Sequence, residues 1–318
     1  MARVVVIGAT GHVGGYLVPR LVGAGHEVVA VSRGESSPYR EDRAWQQVER
    51  RRLDRDALEA EGRFGSAIAE LDGDVVVDLI CFTLDSSRQL VEAVADDVDL
   101  LVHIGTIWTH GHSVAVPTPE DVVKHPFGAY GVAKLEIEQD LLRAARRDGL
   151  PATIVHPGHI VGPGWVPLNP AGHFNPETYA AIARGESLVL PNLGLETVHH
   201  VHADDVAGVV MATIEHPGAA IGESFHAVSE RALSLRGYAE EMFRWFGHEP
   251  RLDFLPYEQW AQAQDPEDAA ATLEHISRSP SCSMAKARRL LDFRPRHSSL
   301  EAVQESVSWL VDHGRLTI

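Results

Sequence analysis

The stretch Val4-Val5-Val6-Ile7, followed at once by Gly8-Ala9-Thr10-Gly11-His12-Val13-Gly14-Gly15, limits this chain to few architectures. Four apolar residues without alternation suit a strand covered on both faces, and glycines at 8, 11 and 14 follow it directly. Gly8 supplies backbone angles for a tight turn, Gly11 lets a pyrophosphate approach the main chain, and Gly14 lets the next helix pack close to the strand. That helix, over about 12–23, points its N-terminal N–H groups at the phosphates. Thr10, His12 and Val13 join the three glycines as candidate cofactor contacts. A second strand at 27–32 completes the context that such a glycine triplet requires.

Strand and helix signals then alternate. Strands are predicted at 3–7, 27–32, 74–82, 98–105 and 151–156, and helices at 58–71, 86–95 and 129–147. This is the pattern of an α/β protein with a Rossmann-type doubly wound parallel sheet. After Pro157 the chain becomes rich in Pro and Gly, as in 157–158, 162–164 and 169–172, the texture of a loop that carries specificity. A helix at 176–184 and a short strand at 187–190 follow. The chain is expected to return to the sheet at 196–202, with a helix capped by Asp204 or Asp205 running to about 215. Beyond 223 helices dominate, at 234–246, 284–291 and 298–312, with Met242, Phe243, Trp245 and Phe246 as core residues of the first. The division expected is a dinucleotide-binding core of 1–165 with 195–217 returning to it, and a mostly helical substrate-binding lobe of 166–194 and 218–318.

A chain of 318 residues accommodates both parts, and its 44% apolar and 23% charged content is that of a soluble globular protein. No apolar run is long enough for a bilayer, and a core strand at residue 4 leaves no room for a signal peptide, so no membrane partner is expected. Two cysteines, Cys81 and Cys282, make no disulfide framework and point to a reducing cytoplasm. A net charge of −17 argues against nucleic acid. The one basic cluster, Arg40, Arg43, Arg50, Arg51, Arg52 and Arg55, is interleaved with acids and reads as a solvated loop and strand edge. Eighteen histidines raise the question of a metal, but among His199, His200 and His202 only the last two share a strand face. With no helical His pair and no cysteine pair, no metal site is expected.

Chemistry enters with Tyr130-Gly131-Val132-Ala133-Lys134 near the start of a helix. A spacing of four places phenol and ammonium on one face, where the cation favours the phenolate and lowers the tyrosine's pKa towards a range useful for proton transfer. Thr106, at the carboxyl end of the strand Leu101-Val102-His103-Ile104-Gly105, is positioned to hydrogen-bond a substrate oxygen opposite Tyr130.

Together these pieces resemble the extended branch of the short-chain dehydrogenase/reductase superfamily, which includes nucleotide-sugar epimerases and dehydratases. The resemblance spans nearly the whole chain: the glycine turn, the 74–81 strand, Thr106 with Gly111, the Tyr130/Lys134 pair, 157–164, 202–207 and the closing segment 284–295. It implies that Tyr130 is the general acid/base, that Lys134 holds the nicotinamide ribose and tunes Tyr130, and that Thr106 takes the usual serine or threonine place. It also implies cofactor contacts from Ile80, Cys81, Phe82 and Pro157, an adenine contact from Asp54, and a homodimer packed through the Tyr130 helix and its predecessor. At the end of the second strand, Ser32 and Arg33 suit a 2′-phosphate, which favours NADP over NAD.

The departures bear on substrate. Where nucleotide-sugar enzymes carry asparagine in an Asn-Val-Tyr-Gly-Pro segment, this chain has His159-Ile160-Val161-Gly162-Pro163, and Val198-His199 stands where they carry Arg-Asp. Aliphatic side chains do not pair with a diphosphate. Ile107 and Trp108 replace the Asp-Glu of 4,6-dehydratases and transfer no proton, which disfavours dehydration. Trp108, His159, His173, Asn175 and His199 are the candidate substrate contacts. The expected function is an oxidoreductase or epimerase moving hydride at a carbinol or carbonyl carbon of a polar, sugar-like small molecule. The alternative is a non-catalytic cofactor sensor or RNA-binding relative.

Overall fold

A computed structural model describes residues 1–318. Strand β1 (Arg3–Ile7) leads through the glycine turn into α1 (Gly14–Gly23) and then β2 (Glu27–Ser32). Strand β3 (Glu49–Arg52), helices α2 (Arg55–Ala60) and α3 (Phe64–Ala69), β4 (Val75–Asp78), α4 (Leu84–Val94), β5 (Leu100–Ile104), α5 (Ala129–Arg147) and β6 (Ala152–Pro157) continue the alternation. Val4, Val6, Val28 and Ala30 pack into one buried cluster while Val5, Ile7, Val29 and Val31 pack into another. Both faces of the sheet are therefore covered, which is why these strands read as uninterrupted apolar runs.

The long helix expected at 58–71 is two. Gly62 adopts φ +66° between α2 and α3, a left-handed conformation that ends the first helix. The strand expected at 74–82 stops at Asp78, whose Oδ1 accepts from the N–H of Ile80 at 3.2 Å and from Arg55 at 2.8 Å. The chain thereby leaves the sheet and brings Ile80 and Phe82 over the glycine turn.

The second half runs through β7 (His159–Val161), α6 (Glu177–Ala183), β8 (Leu188–Pro191), β9 (Thr197–Val198), β10 (His200–His202), α7 (Ala203–Glu215), α8 (Pro217–Ala220) and β11 (Ser224–Ala227). It ends with β12 (Leu233–Ser234), α9 (Leu235–Trp245), β13 (Leu252–Leu255), α10 (Tyr257–Ala261), α11 (Pro266–Arg278), α12 (Ala285–Leu291) and α13 (Ser299–Asp312). The central sheet has seven parallel strands in the order β11-β6-β5-β4-β1-β2-β3.

The expected return strand at 196–202 does not join this sheet. It breaks at His199, with β9 pairing antiparallel to β12 and β10 parallel to β7. The seventh strand is instead β11, from residues expected in the smaller lobe; Ser224-Phe225-His226-Ala227 is fully buried but too polar to announce itself. Helix α12, also expected in the lobe, packs its Ala287 and Leu291 into the core against α7, α8 and β11. The cap of α7 differs too: His202 accepts from the N–H of Asp204, which frees Asp204 to pair with Arg20 and Asp205 to accept from Arg296 and His297. A separate core of α6, α9, α10, α11 and α13, with Tyr179, Tyr238, Met242, Phe243 and Trp260 at its centre, stands over the carboxyl edge of the sheet.

Candidate functional site

The turn after β1 is built as the glycines require. Gly8 has φ +84°, and the N–H groups of Gly8 and Ala9 both donate to the carbonyl of Val31, at 3.0 and 3.1 Å, fastening the turn to β2. A Cβ on Gly14 would lie 2.2 Å from the carbonyl oxygen of Ala9, and one on Gly8 would lie 2.8 Å from Ile80 Cγ2. The backbone here leaves room for a ligand but none for side chains.

Two contiguous cavities meet at this turn, sharing Gly8, Gly11, Ile80 and Phe82. One, of about 380 Å³, is lined by Thr10, Ser32, Arg33 and Ser36 at the carboxyl ends of β1 and β2. The other, of about 570 Å³, runs from Gly11, His12, Val13 and Gly14 past Thr106, Tyr130 and Lys134 to Pro157, Trp108 and His159. The elongated groove fits a dinucleotide, with the phosphates against the glycine turn and one end open towards Tyr130.

Tyr130 stands in the first turn of α5, which begins after Gly128 at φ +76°. Its ring meets Trp108 edge-on at 5.8 Å, and its hydroxyl lies against the Thr106 side chain. Thr106 closes β5: its Oγ1 accepts from the N–H of Trp108 at 3.2 Å and starts a single 3₁₀ turn, Ile107–His110. One turn along α5, the buried Lys134 donates from Nζ to the carbonyls of Cys81 at 2.6 Å and Ile104 at 2.7 Å. Each such charge-assisted bond contributes about 1.5–3 kcal/mol, which offsets the cost of burying the ammonium.

The electrostatics correct one expectation. Burial pushes the Tyr130 phenol above its ordinary value and the Thr106 contact pulls it back, with no contribution from Lys134. Burial lowers Lys134 to about 8, against the opposing pull of Cys81 and Asp78. Lys134 is engaged by the carbonyls of Cys81 and Ile104.

The other candidates divide. Gly8, Gly11, His12, Val13, Gly14, Ile80, Phe82 and Pro157 line the larger cavity, and Thr10, Ser32 and Arg33 the smaller. Asp54 lines neither, because its carboxylate caps α2 by accepting from Ala57 at 3.1 Å. The Cys81 side chain is fully buried, its thiol pushed by burial to about 11, and only its carbonyl serves the site. Among substrate candidates, Trp108 and His159 line the cavity, whereas His173, Asn175 and His199 do not. His173 Nδ1 accepts from Asn169 and Asn175, Asn175 donates to Asp268, and His199 is held between the carbonyl of Ser229 and the N–H of Cys282. All three are occupied in holding loops.

The far wall comes from Trp165, Phe174, Glu274 and His275, none of which sequence reasoning singled out. Helix α11 carries the last two, and its start was legible: Asp265 caps it and Pro266 opens it. Burial lowers His12 and His275 to about 4 and His159 well below its ordinary value, so these rings are neutral near pH 7.

A parallel sheet whose glycine turn opens onto a buried lysine and a tyrosine one helical turn apart defines a nucleotide-dependent enzyme of the Rossmann class. The chain belongs to the NAD dependent epimerase/dehydratase family, whose profile matches residues 4–227. It is similar to 2'-dehydrokanamycin reductase of Streptomyces kanamyceticus, 29% identical over 315 residues that make up 99% of this chain and 86% of that protein. It is 28% identical over 206 residues to dTDP-6-deoxy-L-talose 4-dehydrogenase (NAD(P)(+)) of Kitasatospora kifunensis, covering 59% of this chain and 62% of that one. In fold it is similar to UDP-glucose 4-epimerase of Thermotoga maritima, solved with UDP-glucose, at a TM-score of 0.72 and 20% identity over 98% of this chain and 99% of that chain. No helix is long and apolar enough to cross a membrane.

Proposed function

We propose that this chain is an NADP-dependent reductase acting on a ring carbonyl of a small polar, sugar-like molecule. The observation that carries this reading is the lining of one cavity by the glycine turn, Thr106, Tyr130 and Lys134. Bound nicotinamide supplies the hydride exchanged at the carbinol carbon. Tyr130 Oη gives its proton to the substrate oxygen, which Thr106 Oγ1 orients from the other side. The phenol's raised pKa keeps it protonated near neutrality, as a proton donor for a reduction must be. Lys134, fixed by the carbonyls of Cys81 and Ile104, holds the ribose, and Ser32 and Arg33 at the end of β2 take the 2′-phosphate.

Reduction is preferred to epimerisation because a relative similar over 99% of the chain carries a reductase name. Dehydration is disfavoured by Ile107 and Trp108, which follow Thr106 and carry no group to remove a proton from the neighbouring carbon. The lobe of 166–194 and 218–318, less the strand β11 and helix α12, encloses the substrate. A homodimer across α4 and α5 and a cytoplasmic location belong to the same reading.

The test is NADPH oxidation by purified protein against a panel of cyclic ketones, with Tyr130→Phe alongside. Turnover in the variant is expected to fall at least ~100-fold with an unchanged circular dichroism spectrum. Equal turnover removes the role given to Tyr130. Cofactor that survives extensive washing would favour an epimerase, which keeps its nicotinamide between turnovers.

A further inference from the structure

Resting on that reading, we infer that the substrate carries no phosphate and presents hydrogen-bond donors, hydroxyl or ammonium, to Glu274 on the wall facing Tyr130. The charges around the larger cavity lead there. Lys134 and Glu274 are the only lysine, arginine, aspartate or glutamate side chains in its lining. Lys134 lies at the nicotinamide end with two of its N–H bonds already engaged by backbone carbonyls.

A further cation beside Trp108 and Glu274, Arg278, does not line the cavity. Its guanidinium is clamped between the rings of Trp108 and Phe127, at 3.7 and 4.0 Å, and donates to the carbonyls of Glu274 and Phe127. At 2% exposure it has no face left for a diphosphate. A second contact, 3.4 Å from Nη2 to Glu274 Oε1, ties up one carboxylate oxygen, while the Glu274 side chain remains 43% exposed. The histidines on this wall, His159 and His275, are neutral and add no positive charge. A diphosphate seated here would lose its hydration and meet a carboxylate. A ring with hydroxyl or amine groups gains from both surfaces: its apolar face packs on Trp108 and Phe174, and its donors meet Glu274.

Calorimetric titration of the NADP-loaded protein with four probes tests this: glucosamine, glucose, glucose 6-phosphate and UDP-glucose. Glucosamine and glucose are expected to bind at least tenfold more tightly than glucose 6-phosphate, with UDP-glucose weakest. Glucosamine is expected to bind more tightly than glucose, and Glu274→Gln to erase that difference. Tighter binding of either phosphorylated probe overturns the inference, and so does silence from both unphosphorylated sugars. NADPH fluorescence on the same sample scores the underlying reading separately. Saturable NADPH binding beside a seated UDP-glucose sinks only the substrate class, whereas no NADPH binding sinks the reading of the groove itself.

Discussion

The backbone N–H of Thr106 donates to Nδ1 of His156 at 3.0 Å, joining the end of β5 to the end of β6 beneath the cavity. Behind it, His156 Nε2 stands 3.2 Å from Glu138 Oε1, and Glu138 pairs with Lys124. Burial alone would raise the Glu138 carboxyl, but His156 and Lys124 outweigh it and hold the group ionised. His156 itself is pushed down by burial and stays a neutral donor. His156→Ala would strip one partner from a buried carboxylate and leave the Thr106 amide unpaired. We expect a loss of about 1–3 kcal/mol in urea unfolding. A loss below about 1 kcal/mol would show that the chain of contacts contributes little.

In the function proposed above, Arg33 carries the choice of cofactor. Its guanidinium is exposed at the edge of the smaller cavity, where its neighbour is Glu35 at 3.5 Å. Arg33→Ala is expected to weaken NADP binding roughly tenfold to a hundredfold, the loss of one charge-assisted contact, and to leave NAD binding unchanged. Parallel losses for both cofactors, read by equilibrium titration, would refute the 2′-phosphate assignment.

Acid should destabilise the protein well before its carboxylates protonate. Burial lowers His12, His199, His200, His202 and His275 to about 4 in the folded chain, against 6.5 when unfolded. Below 6.5 the unfolded chain takes up protons that the folded chain refuses, so this stability is complete above 6.5 and drains away as pH falls towards 4. Each such histidine contributes a slope of about 1.4 kcal/mol per pH unit. His297, raised by its hydrogen bond to Asp205, works in the opposite sense but stands against these five and against His103, His110, His156, His159, His173 and His226, which burial also lowers. Urea midpoints should therefore drop steeply between pH 6.5 and 5; equal midpoints at pH 8 and pH 5 would exclude the account.

The fold was legible where one local motif carries its own geometry. The turn at Gly8, Gly11 and Gly14 states both its backbone angles and its close packing, and the flanking valine runs state two covered faces. Tyr130 and Lys134 were legible as a pair because a helix fixes their spacing. The residues that do not line the cavity are held by other partners, some near in sequence and some distant. His173, Asn175 and His199 have the chemistry of substrate ligands, yet Asn169, Asp268, Ser229 and Cys282 claim them first. Asp54 was claimed by its own helix. Glu274 and His275 reach the cavity only through the placement of α11 in the lobe, which no local pattern encodes.

An ammonium group has three protons to give, and at Lys134 the end of β5 and the segment after β4 have already taken two. The third points along a direction set by those two anchors, so the nitrogen behaves as a fixed peg and not as a swinging arm. A hydroxyl arriving at that spot must come in along one line. In the function proposed above, the approach of a cofactor hydroxyl to this nitrogen is therefore set by the backbone of β5 and of the segment after β4.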